Sequence, residues 1–427
     1  MDRALLSILL SSFITPFSQS AIGVALLVLA RDLGVPSTGA ITFLVVLTLT
    51  IAAFVLPFGR LADALGHMRV FKAGLGVVAA GFAAAALSPH ASLLYASLIV
   101  AGVGLAAVFG SNNALLFQIV PPERRGTAVG LNSTSVYIGL VTGPVAGGYL
   151  AQAGWRFVLL PAVVIAIVSY VLIGKAPVSR PRFTSFDIAG PALFAASIIT
   201  AIVGIDVGAW HVAVLGAAGL ALTFVLELNR QDPVVEVRLF CNVVFTASVV
   251  AAFLNYLSTA ALPPSLSLLF QEAYNLTARE AGALLSLQEF AMAAFAPVAG
   301  RLSDRAPPSI VATAGAALLA ASLYAFSQSP ATSTAPLLLF LTGVGFALFI
   351  VPNTTLVPSS VPPSRRGMAS ALVAEARVLG QSASNAVASY YLKNATSVSV
   401  GVSALLALLA YLSLITAFLS LARALSH

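Results

Sequence analysis

The chain has 427 residues, of which 59% are hydrophobic and only 8% charged, and its mean hydropathy is +1.00. So little polar surface excludes a soluble globule of this length. The formal net charge of +7 rests on few ionisable residues, and the single cysteine, Cys241, excludes an intrachain disulfide. Long apolar runs separated by short polar turns indicate membrane-spanning helices, because the strands of a barrel would alternate in segments of about ten residues.

Spans of roughly 20 residues are predicted near 5–30, 39–58, 70–88, 91–119, 126–152 and 155–174. The first run is long enough to cross and is read as an uncleaved helix. Two further runs follow at about 187–205 and 209–227, then six more near 243–270, 280–300, 309–328, 334–357, 367–392 and 398–424. The expected fold is an all-α membrane protein with fourteen transmembrane helices, in three parts. These are a six-helix bundle over 1–175, a linker with two extra helices over 176–240, and a second six-helix bundle over 241–427. A re-entrant or surface hairpin is the alternative for the extra pair.

Positive residues hold the cytoplasmic flanks. With both termini inside, Arg60, Arg69, Arg124, Arg125, Arg301, Arg305, Arg365 and Arg366 fall in inner loops, and the outer loops keep only Arg31, Arg156, Arg279 and Lys393. This asymmetry predicts a multi-pass protein of the cell membrane and gives no reason to invoke nucleic acid as a partner. The sequons at Asn275 and Asn394 are common chance tripeptides and carry little weight.

Three separate segments recur at one spacing. Gly59-Arg60-Leu61-Ala62-Asp63 returns as Gly300-Arg301-Leu302-Ser303-Asp304, Gly102-Val103-Gly104 as Gly343-Val344-Gly345, and the Val120 to Gly126 turn as Val361 to Gly367, each 241 positions on. Segments kept in register imply a duplicated half, the organisation of transporters that rock one half against the other around a central site.

The loop from Gly59 to Arg69 resembles the signature loop of the major facilitator superfamily, with Gly59, Leu61, Asp63, Gly66 and Arg69 in place and Ala64 and His67 departing from it. Its duplicate supplies Gly300 and Asp304. The segment Gly139 to Gly148, with Gly139, Gly143, Pro144, Gly147 and Gly148, resembles the antiporter motif of that superfamily. Glycines four apart allow close helix approach, which ordinary packing also favours, and Pro144 permits a bend. Trp155-Arg156-Phe157 and the segment Asp232 to Phe240 resemble the fourteen-span drug:proton antiporter branch. In that branch an acidic residue is usual where Ser18 stands, an arginine where Leu98 stands and a glutamine where Ala101 stands, so the usual first-half coupling residues are missing here.

Ionisable residues inside the spans are concentrated in the second half. Glu289 and Arg377 each fall about 15 Å deep, and Glu375 one third to halfway across. A charge at such depth costs about 2.5–3.5 kcal/mol, so each should face a cavity or a partner. Either Glu289 or Glu375 pairs with Arg377 to neutralise charge, or the carboxylates face the cavity and exchange a proton for a cationic substrate. The resemblance places acidic residues in the tenth and thirteenth spans, matching Glu289 and Glu375, and an arginine and glycine pattern matching Arg377 and Gly380. Other mid-span polar candidates are Gln19, Asn112, Asn255, Tyr256, Gln288 and Asn353; Asn112 and Asn353 share the 241 spacing and serve equally as helix glue or substrate contact.

The resulting expectation is a monomeric secondary transporter that exports lipophilic, cationic compounds in exchange for protons by alternating access. Glu289 and Glu375 would couple and recognise, with Arg377 as tuner. A sugar, organic acid or other metabolite is the alternative cargo, and a non-transporting sensor is the remote alternative. No enzyme activity, cofactor or metal is expected: His67, His90, His211 and His427 are widely spaced and all lie in loops or at the terminus.

Overall fold

The computed structural model describes residues 3–174, 189–228, 236–328, 330–362 and 365–425. Every regular element among them is a helix. The first six are α1 (Arg3–Asp32), α2 (Thr42–Leu65), α3 (His67–Ala86), α4 (Ala91–Ile119), α5 (Arg125–Ala153) and α6 (Trp155–Ile173). The inserted pair is α7 (Ala189–Asp206) and α8 (Trp210–Glu227). The remainder is α9 (Val243–Thr259), α10 (Leu262–Glu272), α11 (Ala278–Arg305), α12 (Pro308–Gln328), α13 (Ala335–Ser359), α14 (Arg366–Lys393) and α15 (Val398–Leu425).

Local chemistry sets these boundaries. Gly66, at φ 99°, turns the chain between α2 and α3 in a region that side chains other than glycine seldom enter. A capping box opens α11: the Thr277 hydroxyl accepts from the Glu280 amide at 3.3 Å, and the Glu280 carboxylate accepts from the Thr277 amide at 2.8 Å. The run expected as one span over 243–270 is two helices. Pro263 and Pro264 carry no N–H, so the ladder lapses between Thr259 and Leu262.

Among the described residues, twelve spans are long and apolar enough to cross a membrane, with α9 and α10 together counting as one. The two other long helices are α5 and α14, of 29 and 28 residues. They occupy equivalent places in the two halves, starting at Arg125 and Arg366, 241 positions apart. Polar residues lower their hydropathy; in α14, Gln381, Asn385 and Ser389 are polar residues that meet the other half.

The duplication extends to packing. α1 packs on α5 and α6, as α9 does on α14 and α15; α4 packs on α2 and α3, as α13 does on α11 and α12. Between the halves α5 meets α11, and its equivalent α14 meets α2. Such mutual exchange of neighbours is what a pseudo-two-fold axis between the halves produces.

The expected motifs find physical roles. The Trp155 indole and Arg156 both donate to the Asp32 carboxylate, at 2.7 and 2.6 Å, and Arg156 reaches the Ser88 carbonyl at 3.1 Å. Trp155-Arg156 therefore ties α6 to the ends of α1 and α3. In the Gly59 to Arg69 loop, His67 stands 3.2 Å from Asp63, so a residue departing from the usual pattern takes up a motif carboxylate. Glu236 pairs with Arg365; residues 232–235 of the same segment lie outside the described residues. In the insert, α7 packs on both α2 and α14, and Asp206 bonds Lys393 at 2.9 Å. Trp210 meets Tyr390 edge-on beside this pair.

Candidate functional site

The central site is built from the least apolar helices. Gly139, Gly143 and Gly147 lie one turn apart on the face of α5 that meets α1. A Cβ at Gly143 would stand 2.6 Å from the Ser20 side chain, and one at Gly147 would stand 2.7 Å from Ala21. Gly148 meets the backbone of Ala278 and Arg279, and Gly282 of α11 abuts the Pro144 carbonyl. The glycine motif thus joins α5 to its own half through three residues and to the opposite half through Gly148 and Pro144.

Among the described residues, the inter-half glycine contacts and most of the inter-half hydrogen bonds cluster toward one face. Across the second seam, Thr42 meets Ser389 at 3.0 Å and Asn385 donates to Thr48 at 3.4 Å; between α10 and α1, Gln271 donates to the Val24 carbonyl at 2.9 Å. Toward the other face, where the helix ends carry Arg60, Arg69, Arg125, Arg301 and Arg366, the halves separate. Between Arg125 and Ile138 of α5 only Ala128 is buried, and Phe290, Val298 and Leu302 of α11 are exposed. Asp63, Arg69 and Asp304 are exposed on that face as well.

Where the two halves meet, a cavity of about 100 Å³ remains. Gln19 and Gly23 of α1, Leu140 of α5, Tyr256 and Thr259 of α9, Gln288 and Glu289 of α11, and Gln381 and Asn385 of α14 line it. Glu289 is only 6% exposed, and its carboxylate forms no hydrogen bond or ion pair with the described residues. Gln19 and Gln381 close the cavity from opposite halves through a 2.5 Å hydrogen bond.

Of the sequence candidates, Gln19, Tyr256, Gln288 and Glu289 are therefore brought together. Glu375 is 3% exposed, and both of its oxygens lack hydrogen-bond partners among the described residues, yet it stands off the cavity wall. Arg377 donates to Thr354 at 2.7 Å and forms no ion pair with either glutamate. Tyr256 shares the cavity wall with Glu289, and Arg377 stands off it. Asn255 is fully buried, and its side chain has no hydrogen-bond partner among the described residues.

The symmetric asparagines are both helix ties in this structure. Asn112 donates to Ser12, which donates to Asn132, each at 2.5 Å, so α4, α1 and α5 are linked. Asn353 accepts from Arg423 at 2.7 Å; the same guanidinium reaches Ser248 at 2.7 Å and Ser420 at 2.8 Å. Arg423→Met removes donors from three buried oxygens. It is expected to cost about 2–4 kcal/mol, seen as a lowered midpoint of thermal unfolding in detergent.

Sequence reasoning missed Gln381, Thr259 and the double proline. A signal was present: Arg377, Gln381, Asn385 and Ser389 recur every four residues, a polar stripe down one face of α14.

The profile of the Major Facilitator Superfamily matches residues 8–228 and 248–426. The riboflavin transporter RibZ of Clostridioides difficile is 26% identical over 88% of this chain and 84% of its own length. The multidrug resistance protein Stp of Mycobacterium tuberculosis is 27% identical over 86% of this chain and 71% of its own. A crystal structure of a POT family transporter with a thioalcohol-conjugated peptide superposes with a TM-score of 0.75 at 15% identity, covering 99% of this chain and 96% of that one. With the duplicated halves, the paired seams and a family match over most of its length, the chain belongs to the Major Facilitator Superfamily.

Proposed function

We propose that this protein is a proton-coupled exporter of lipophilic, cationic compounds working by alternating access, with Glu289 as the group that exchanges a proton for the substrate. The observation that carries this is a buried carboxylate without a partner, on the wall of a cavity shared by the two halves. A buried charge without a protein partner is costly, so such a group holds a proton or a cation and alternates between them. Kinship with Stp, a multidrug resistance protein, supports a drug-like cargo. Glu375 serves as a second protonatable group, with Arg377 setting the field at the cavity rim.

In this reading α5 and α14 also cross the bilayer, giving fourteen spans. Residues 1–175 and 241–427 rock as two halves joined by the inserted pair, both termini are cytoplasmic, and the protein acts as a monomer in the cell membrane. The basic face is then cytoplasmic, and the structure corresponds to the inward-facing state. A second reading keeps the fold and carries a polar metabolite; the carboxamides of Gln19, Gln288, Gln381 and Asn385 and the kinship with RibZ favour it.

The test is proton movement in liposomes containing the purified protein, on addition of lipophilic cations, sugars and organic anions. Cation-triggered proton flux is the expected result. Flux with sugars or organic anions alone would replace the cation reading by the metabolite one.

A further inference from the structure

The α9–α10 break changes the chemistry of the cavity wall. In a continuous helix the carbonyls of Thr259 and Ala260 would accept from the amides of residues 263 and 264. Those residues are Pro263 and Pro264, which have no N–H, so both carbonyls lose their helical donors. Thr259, Ala260, Pro263 and Pro264 all line the cavity. Opposite them stands the Glu289 carboxylate without a hydrogen-bond partner, and Gln288 Oε1 and Asn385 Oδ1 are buried without one. The Gln381 amide, a donor on the same wall, is already engaged by Gln19.

Tyr256, Ser20 and the Gln288 amide also bring donors to the wall, but the two freed carbonyls, the two Glu289 oxygens, Gln288 Oε1 and Asn385 Oδ1 leave acceptors in excess. A buried acceptor left without a donor is costly, so the complementary occupant brings several N–H groups. A quaternary ammonium satisfies the charge of Glu289 but none of the carbonyls. The space of about 100 Å³ fits a small head group, while the apolar remainder of a substrate extends toward the open face.

We infer that the cavity selects a cation bearing several N–H donors, a primary ammonium, amidinium or guanidinium head, over a quaternary ammonium of the same skeleton. The inference rests on the proposed cation site at Glu289.

The experiment measures proton flux in proteoliposomes with phenethylammonium, phenethylguanidinium and N,N,N-trimethylphenethylammonium. The two N–H cations are expected to be favoured at least tenfold in apparent affinity, about the worth of one charge-assisted hydrogen bond. In the Pro263→Ala/Pro264→Ala variant, which returns amide donors to the two carbonyls, that ratio should shrink several-fold. Equal or better flux with the trimethyl compound, dependent on Glu289, would overturn the inference and leave the cation exporter standing. An unchanged ratio in the double variant would also overturn it. If no cation moves protons while a sugar or an organic anion does, the cation site itself falls, and the inference with it.

Discussion

Reconstituted Glu289→Gln protein is expected to move no protons in response to substrate, while still folding and still exchanging substrate for substrate. Glutamine keeps the volume and hydrogen-bonding reach of the side chain but has no site that gains or loses a proton near neutral pH. The carboxylate forms no hydrogen bond with the described residues, so little of the fold depends on it. Loss of coupling without loss of thermal stability separates a working group from a structural one. Glu375→Gln provides the comparison: it removes a carboxylate that stands off the cavity, and its effect on substrate affinity should be smaller. Substrate-driven proton flux at the wild-type level in Glu289→Gln would remove this residue from the mechanism.

Gly282→Val is expected to drive the halves apart at the face where they now touch. A Cβ at this position would run into the Pro144 carbonyl, which belongs to the opposing backbone and cannot swing aside. Overpacking of this kind costs about 1–3 kcal/mol, a roughly five- to hundredfold shift in the ratio of two conformations. In a Cys241→Ser background, spin labels at Gln152→Cys and Tyr274→Cys sit near the ends of α5 and α10 on that face. Their distance distribution should move to longer values in the valine variant. An unchanged distribution would mean that this contact does not govern closure.

Much of the fold is legible in the sequence, because a membrane helix must satisfy its own backbone and advertises itself as an apolar run. The 241-residue spacing adds the pairing of the halves: once α5 touches α11, symmetry requires α14 to touch α2. The site is less legible. Depth along a helix follows from residue counting, and by depth Glu289 and Glu375 looked alike. Which face turns inward depends on helix rotation, and rotation placed Glu289 on the cavity and Glu375 off it. Asn353 illustrates the same limit, since its partner Arg423 lies 70 positions away on another helix. The break after Thr259 needed only attention to two adjacent prolines inside an apolar run.

The inserted pair makes the molecule lopsided in a way the duplication alone would not. The α2–α14 seam is roofed by α7, which packs on both helices and is pinned by Asp206 to Lys393. The mirror seam, α5–α11, has no equivalent roof among the described residues; the helix it shares most closely, α1, lies on the cavity side. The surrounding lipid therefore meets a nearly two-fold framework through two unlike flanks, one seam shielded by the inserted pair and the other bare of it.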